Sequence, residues 1–121
     1  MLIAAITLAA VLAQQPEARA PEMAILKANL GGDCSANFTV TDADGTPVYA
    51  ATIHVRVRYG LWGVKRADLE IGTNSDGKAR IEGLPAKARP LTYNVEKAVK
   101  KGVAEQNVAE MCQANFEISL R

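Results

Sequence analysis

Histidine is almost missing from this chain: one occurs in 121 residues, with only two cysteines beside it. A four-ligand zinc site, or a Ser-His-Asp or Cys-His-Asn constellation, would consume nearly every candidate side chain, so most catalytic readings start poorly and no cofactor is expected. Neither charge sign is in excess. Fourteen Lys and Arg stand against 13 Asp and Glu, a net charge of +1, far from the basic balance that phosphate backbones select, which argues against nucleic acid as a partner. Aromatics are scarce at 5%, so the core must be small. No apolar run reaches the ~20 residues that cross a bilayer as a helix. What is present, 49% hydrophobic and 22% charged residues, is the composition of one folded globular domain.

The longest apolar run, Leu2 to Ala13, is too short to span and ends at small residues, Val11 and Ala13, before the polar Gln14-Gln15-Pro16. Residues 1–13 therefore read as a secretory signal peptide, cleaved after Ala13 to leave a form without a transmembrane anchor, secreted or periplasmic. No Lys or Arg precedes the run, so the usual basic n-region is missing. Residues 14–33 hold two prolines and Gly31-Gly32 and read as a linker. Within it Met23, Leu26 and Leu30 recur at helical spacing, which predicts a short helix over 22–30.

From residue 34 to 121 the period changes to two. Phe38 and Val40 share one side of a first strand. Between Tyr49 and Tyr59 the residues Ile53, Val55, Val57 and Tyr59 alternate with Thr52, His54, Arg56 and Arg58. Ala67, Leu69 and Ile71 alternate with Arg66, Asp68 and Glu70, which predicts a hairpin with Arg56 and Arg58 facing Asp68 or Glu70. Further strands are read around Ala79 to Leu84, Leu91 to Val95, and Ala114 to Leu120. A weaker one is placed in 98–110, where Gly102 and Asn107 interrupt a helix. Asp42-Ala43-Asp44-Gly45 and Asn74-Ser75-Asp76-Gly77 are turns, not calcium loops, because Pro47 and Ala79 stand where an EF-hand needs glycine. Seven short strands at regular spacing predict an all-β, two-sheet Ig-like sandwich. Cys34 precedes the first strand and Cys112 the last. In such sandwiches these strands run side by side and parallel, so an exported chain is expected to join the two cysteines as a disulfide.

His54 on the polar face of its strand reads as a surface residue. Trp62, the only tryptophan, lies between Gly60 and Gly63 beside Tyr59, Lys65 and Arg66. The preferred reading folds it back as a plug over the open end of the sandwich. The alternative leaves it exposed, making Trp62, Tyr59, Lys65 and Arg66 the candidate partner-binding residues. Lys97, Lys100 and Lys101 read as a solvated basic turn.

Thr39 to Val48, Ala50 to Val55, and Thr73 to Ile81 with Gly83-Leu84-Pro85 resemble the carboxypeptidase regulatory-like domain family. Ala50 replaces the glycine usual in that pattern and Asn74 an aspartate. The resemblance implies a prealbumin-like, seven-stranded sandwich without catalytic residues of its own, found in exported bacterial proteins. Two relatives by architecture fit poorly. Isopeptide-forming pilin modules need a lysine on the first strand, where Ser35 to Thr41 has none, and transthyretin-like hydrolases carry several histidines. The expected function is thus a non-catalytic binding or structural accessory module of the bacterial envelope, its partner another envelope protein or a glycan. Glycan binding through Trp62 and Tyr59 is the alternative, and an atypical hydrolase using His54 the remote one.

Overall fold

The computed structural model describes residues 23–121; the expected signal peptide and most of the linker's first half lie outside them. Eight strands form: β1 (Ala24–Lys27), β2 (Cys34–Thr41), β3 (Thr52–Tyr59), β4 (Lys65–Gly72), β5 (Lys78–Leu84), β6 (Leu91–Lys97), β7 (Lys100–Gln106) and β8 (Gln113–Ser119). They build two four-stranded sheets, ordered β1-β5-β2-β8 and β4-β3-β6-β7, packed as a sandwich whose core lies between them.

Period-two alternation decides which side chains enter that core. Cys34, Ala36, Phe38 and Val40 of β2 and Ile53, Val55 and Val57 of β3 are fully buried, as are Ala79 and Ile81 of β5 and Tyr93 and Val95 of β6. Each large one contributes about 1.5–3 kcal/mol by leaving water. Three of the six aromatics meet at one point in the core. Phe38 meets Tyr93 of the opposite sheet edge-on, with ring centres 4.8 Å apart, and stacks against its register partner Phe116 at 5.7 Å. The region 98–110 does contain a strand, β7. Gly102 keeps it close to the other sheet, since a Cβ there would come within 2.5 Å of Ile118 Cγ2.

Two expectations need correction. The segment read as a possible helix in the linker is β1, hydrogen-bonded parallel to β5 with Ala24 opposite Ala79 and Leu26 opposite Ile81. The physical reason is a second periodicity: Ala24, Leu26, Ala28 and Leu30 all pack on the core, an alternation that the edge of β5 can use and a lone helix cannot. Among the described residues the sandwich therefore has eight strands, the first starting about ten residues before Cys34.

The second correction concerns the β3–β4 hairpin. Its register places Arg56 opposite Asp68, joined at 2.9 Å, and His54 opposite Glu70, but it sets Arg58 against Arg66. The five-residue connection Gly60–Val64 fixes that register, and charge pairing does not override it.

Both Asp/Asn-Gly turns form as read. Asp42 accepts the Gly45 amide through its carbonyl, and Asn74 does the same for Gly77 while its Oδ1 takes the amides of Asp76 and Lys78. β2 and β8 run parallel, the Ser35 amide donates to the Cys112 carbonyl, and the Cys34–Cys112 disulfide closes the pair with Cα atoms 4.6 Å apart.

Candidate functional site

The β3–β4 hairpin turns at the same end of the sandwich as the disulfide. Its connection must reverse direction in five residues, and it does so through three left-handed positions: Gly60 at φ 81°, Trp62 at φ 62° and Gly63 at φ 65°. A short 3-10 turn over Leu61–Gly63 is held by the Gly63 amide to the Gly60 carbonyl at 3.0 Å. Glycine takes such angles freely; a tryptophan does so at a cost of roughly 1–2 kcal/mol. Burial does not offset that strain. Trp62 is 82% exposed, and its neighbours Leu61 and Val64 are 74% and 72% exposed. The plug expected from the sequence is therefore absent: Trp62 points away from the core, which Phe38, Tyr93 and Phe116 already fill.

Behind this apolar tip lies a cleft of about 310 Å³ lined by Arg58, Tyr59, Gly60, Gly63, Lys87, Ala88, Arg89 and Ala109. The segment between Pro85 and Pro90 makes its far wall. Ala88 bridges to Tyr59 and the Arg89 amide donates to the Arg58 carbonyl, so the extended chain lays Lys87 and Arg89 on one side. The guanidinium of Arg89 packs so near Gly63 that a Cβ there would stand 2.8 Å from its Nε. Three of the lining residues are cations and none is an acid.

Of the sequence-predicted binding residues, the structure gathers all four around the tip in different roles. Lys65 lies opposite Tyr59 and holds its ammonium 5.9 Å from the Tyr59 ring centre. Tyr59 itself packs partly on the core, so it does not make a second exposed plate beside Trp62. Arg66 is exposed next to Arg58. Sequence reasoning missed Lys87 and Arg89. Their signal was the spacing of two cations at i and i+2 between two prolines, which stiffen that stretch into an extended strip. Among the described residues, Arg58, Lys65, Arg66, Lys87 and Arg89 form no ion pair. Of the acids around this end, Asp68 lies two residues beyond Arg66 and is paired with Arg56, Glu110 follows Ala109, and Asp33 precedes β2.

Other candidates fall elsewhere. His54 lies on the outer face of its sheet between Glu70 and Asn94, and among the described residues no three His, Cys, Asp or Glu stand together as metal ligands. The opposite end has its own cleft of about 470 Å³ between Tyr49 and Val99, where Lys100 is paired with Asp42 at 3.2 Å. Asn37 is engaged within its sheet, donating to Asn115 and accepting from Arg80.

A buried polar tie, also unseen in the sequence, supports the end that carries the tip. Gln106, 1% exposed, accepts from the Tyr93 hydroxyl at 2.6 Å and donates to the carbonyls of Met111 and Ser35 at 2.8 and 3.2 Å. Burial raises the pKa of that hydroxyl well above the usual tyrosine value, so it remains a donor.

No family model matches the chain, and no curated protein matches it in sequence. Among solved structures it is similar to the catechol 1,2-dioxygenase of Acinetobacter sp. ADP1, with TM-score 0.55 and 14% identity over 79% of this chain and 56% of that one. It is also similar to the 3-chlorocatechol 1,2-dioxygenase of Rhodococcus opacus 1CP, with TM-score 0.56 and 10% identity over 80% of this chain and 64% of that one. The chain thus spans less than two thirds of either neighbour. Likeness at such identity is a likeness of fold.

Proposed function

We propose that this chain is a non-catalytic binding module of the exported, envelope-associated kind, and that it binds through the Leu61–Val64 tip and the cationic cleft behind it. The observation that carries this reading is Trp62. A large aromatic held in a strained backbone conformation with no burial to offset the strain is a cost to the fold, and such strain concentrates at working surfaces. The disulfide supports an oxidising compartment. Among the described residues no helix is long and apolar enough to cross a membrane. The resemblance of the strand and turn motifs to carboxypeptidase regulatory-like domains supports the accessory role.

The test is co-sedimentation of residues 14–121 with a bacterial envelope fraction. The wild-type protein is expected in the pellet and Trp62→Ala in the supernatant, with equal thermal stability. Equal pelleting of both proteins would remove the tip from the account. At this tip Trp62, rather than a Trp62–Tyr59 pair, is the aromatic available to a glycan, and a fluorescence response to soluble glycans would favour that second reading.

A further inference from the structure

Two kinds of side chain are sorted by position at the β3–β4 tip. The apolar ones lead: Leu61, Trp62 and Val64, each more than 70% exposed within four residues. The cations stand behind them as a collar, with Arg58 and Lys65 at the strand ends, Arg66 beside them, and Lys87 and Arg89 on the Pro85–Pro90 strip. Among the described residues five of the 13 cations gather here and the other eight share the fold with 11 acids, so the tip is locally positive although the net charge of the chain is near zero.

We propose that this tip docks on an anionic lipid bilayer surface, with Leu61, Trp62 and Val64 entering the interfacial layer and the five cations facing the lipid phosphates. The inference rests on the reading that the tip is the binding surface. A convex apolar wedge needs a soft, receding partner, and the headgroup region is where tryptophan is favoured, one end of its ring system apolar and the other wet. Cations at that level are attracted by acidic lipids, each strengthening binding by roughly fivefold. The cleft between Gly63 and Arg89 adds a place for one phosphate, because a guanidinium and two further cations line it and no acid does. A protein partner would instead need a preformed pocket shaped to a strained loop.

The single tryptophan makes the test selective, since its fluorescence reports only the tip. The eight strands of the described residues lie within 23–121, and residues 14–121, the form expected after cleavage, are used. That protein is mixed with phosphatidylcholine vesicles with and without phosphatidylglycerol, including brominated lipids. Phosphatidylglycerol is expected to tighten binding at least about tenfold, and raised salt to reverse this. Trp62 emission is expected to shift to the blue and be quenched by bromines near the headgroups.

Lys87→Glu with Arg89→Glu should lose about tenfold or more in affinity. Lys97→Glu, at the opposite end, should lose nothing, and circular dichroism should match the wild type throughout. Absence of a blue shift with acidic vesicles, or equal binding to neutral ones, overturns the lipid assignment. A response to soluble acidic glycans and not to vesicles replaces it with a glycan. If acidic vesicles fail while envelope sedimentation still depends on Trp62, only the lipid inference falls. If Trp62 matters in neither assay, the proposed binding surface falls with it.

Discussion

At the scale of single residues, backbone angle and exposure together separate structural positions from functional ones. Among the described residues four non-glycine positions adopt left-handed angles: Asn29, Ala50, Trp62 and Ala98. Asparagine tolerates the conformation; alanine adopts it at a cost of roughly 1–2 kcal/mol. Ala50, at φ 58°, is the position where the resembled family pattern has glycine, and its amide is already committed to the Thr73 carbonyl at 3.0 Å. Ala50→Gly should therefore stabilise the protein by about 0.5–1 kcal/mol, the left-handed penalty less the extra unfolded-state entropy of glycine. Urea unfolding with an unchanged slope checks this; a lower midpoint would show that the angle carries no strain. Trp62 shares the angle inside a turn closed by the Gly63 amide on the Gly60 carbonyl, and what assigns it to binding and Ala50 to folding is that its large apolar side chain stands exposed there.

At the scale of elements, the β3–β4 hairpin shows what the sequence disclosed and what it withheld. The alternation of Ile53, Val55 and Val57 against Thr52, His54 and Arg56 was legible because a strand with one buried face leaves that signature. Its register was not, because register depends on how many residues the connection uses to turn, and Arg58 ends opposite Arg66 as a result. β1 was misread because Met23, Leu26 and Leu30 fit a helix while Ala24, Leu26, Ala28 and Leu30 fit a strand. Only the free edge of β5 settles the choice.

The Arg56–Asp68 pair gives the hairpin a pH signature. The hydrogen bond from Arg56, aided by the positive fields of Arg56, His54 and Arg66, lowers the Asp68 pKa below its ordinary 3.8 despite partial desolvation. A depressed carboxyl contributes stability above its unfolded pKa and loses it as pH falls through the folded one. The wild type should therefore exceed Asp68→Asn in stability at neutral pH, with the difference vanishing on acidification below about 3.8, as thermal melts across that range would show. A constant difference at all pH values would contradict the pairing.

At the scale of the whole molecule, one covalent bond and one charge asymmetry organise the sandwich. The disulfide joins positions 78 residues apart and so closes most of the folded chain. Its place could be reasoned from parallel first and last strands, since both cysteines precede a strand. Replacing both with alanine should cost about 2–4 kcal/mol, mostly through a less constrained unfolded state, seen as a lower urea midpoint with the strand spectrum retained. A midpoint equal to the wild type's would mean that the core alone specifies the fold. The cationic cleft was harder to foresee. Arg58 belongs to β3 and Lys87 and Arg89 to a connection nearly thirty residues later, and they meet only because Ala88 bridges to Tyr59.

The central claim is that Trp62 stands in water at a positively charged tip, and paired collisional quenchers test it in one titration. Iodide should quench the tryptophan fluorescence strongly and caesium weakly, because the five surrounding cations concentrate the anion and repel the cation. Little quenching by either ion would place Trp62 inside the sandwich and contradict the account, as would stronger quenching by caesium.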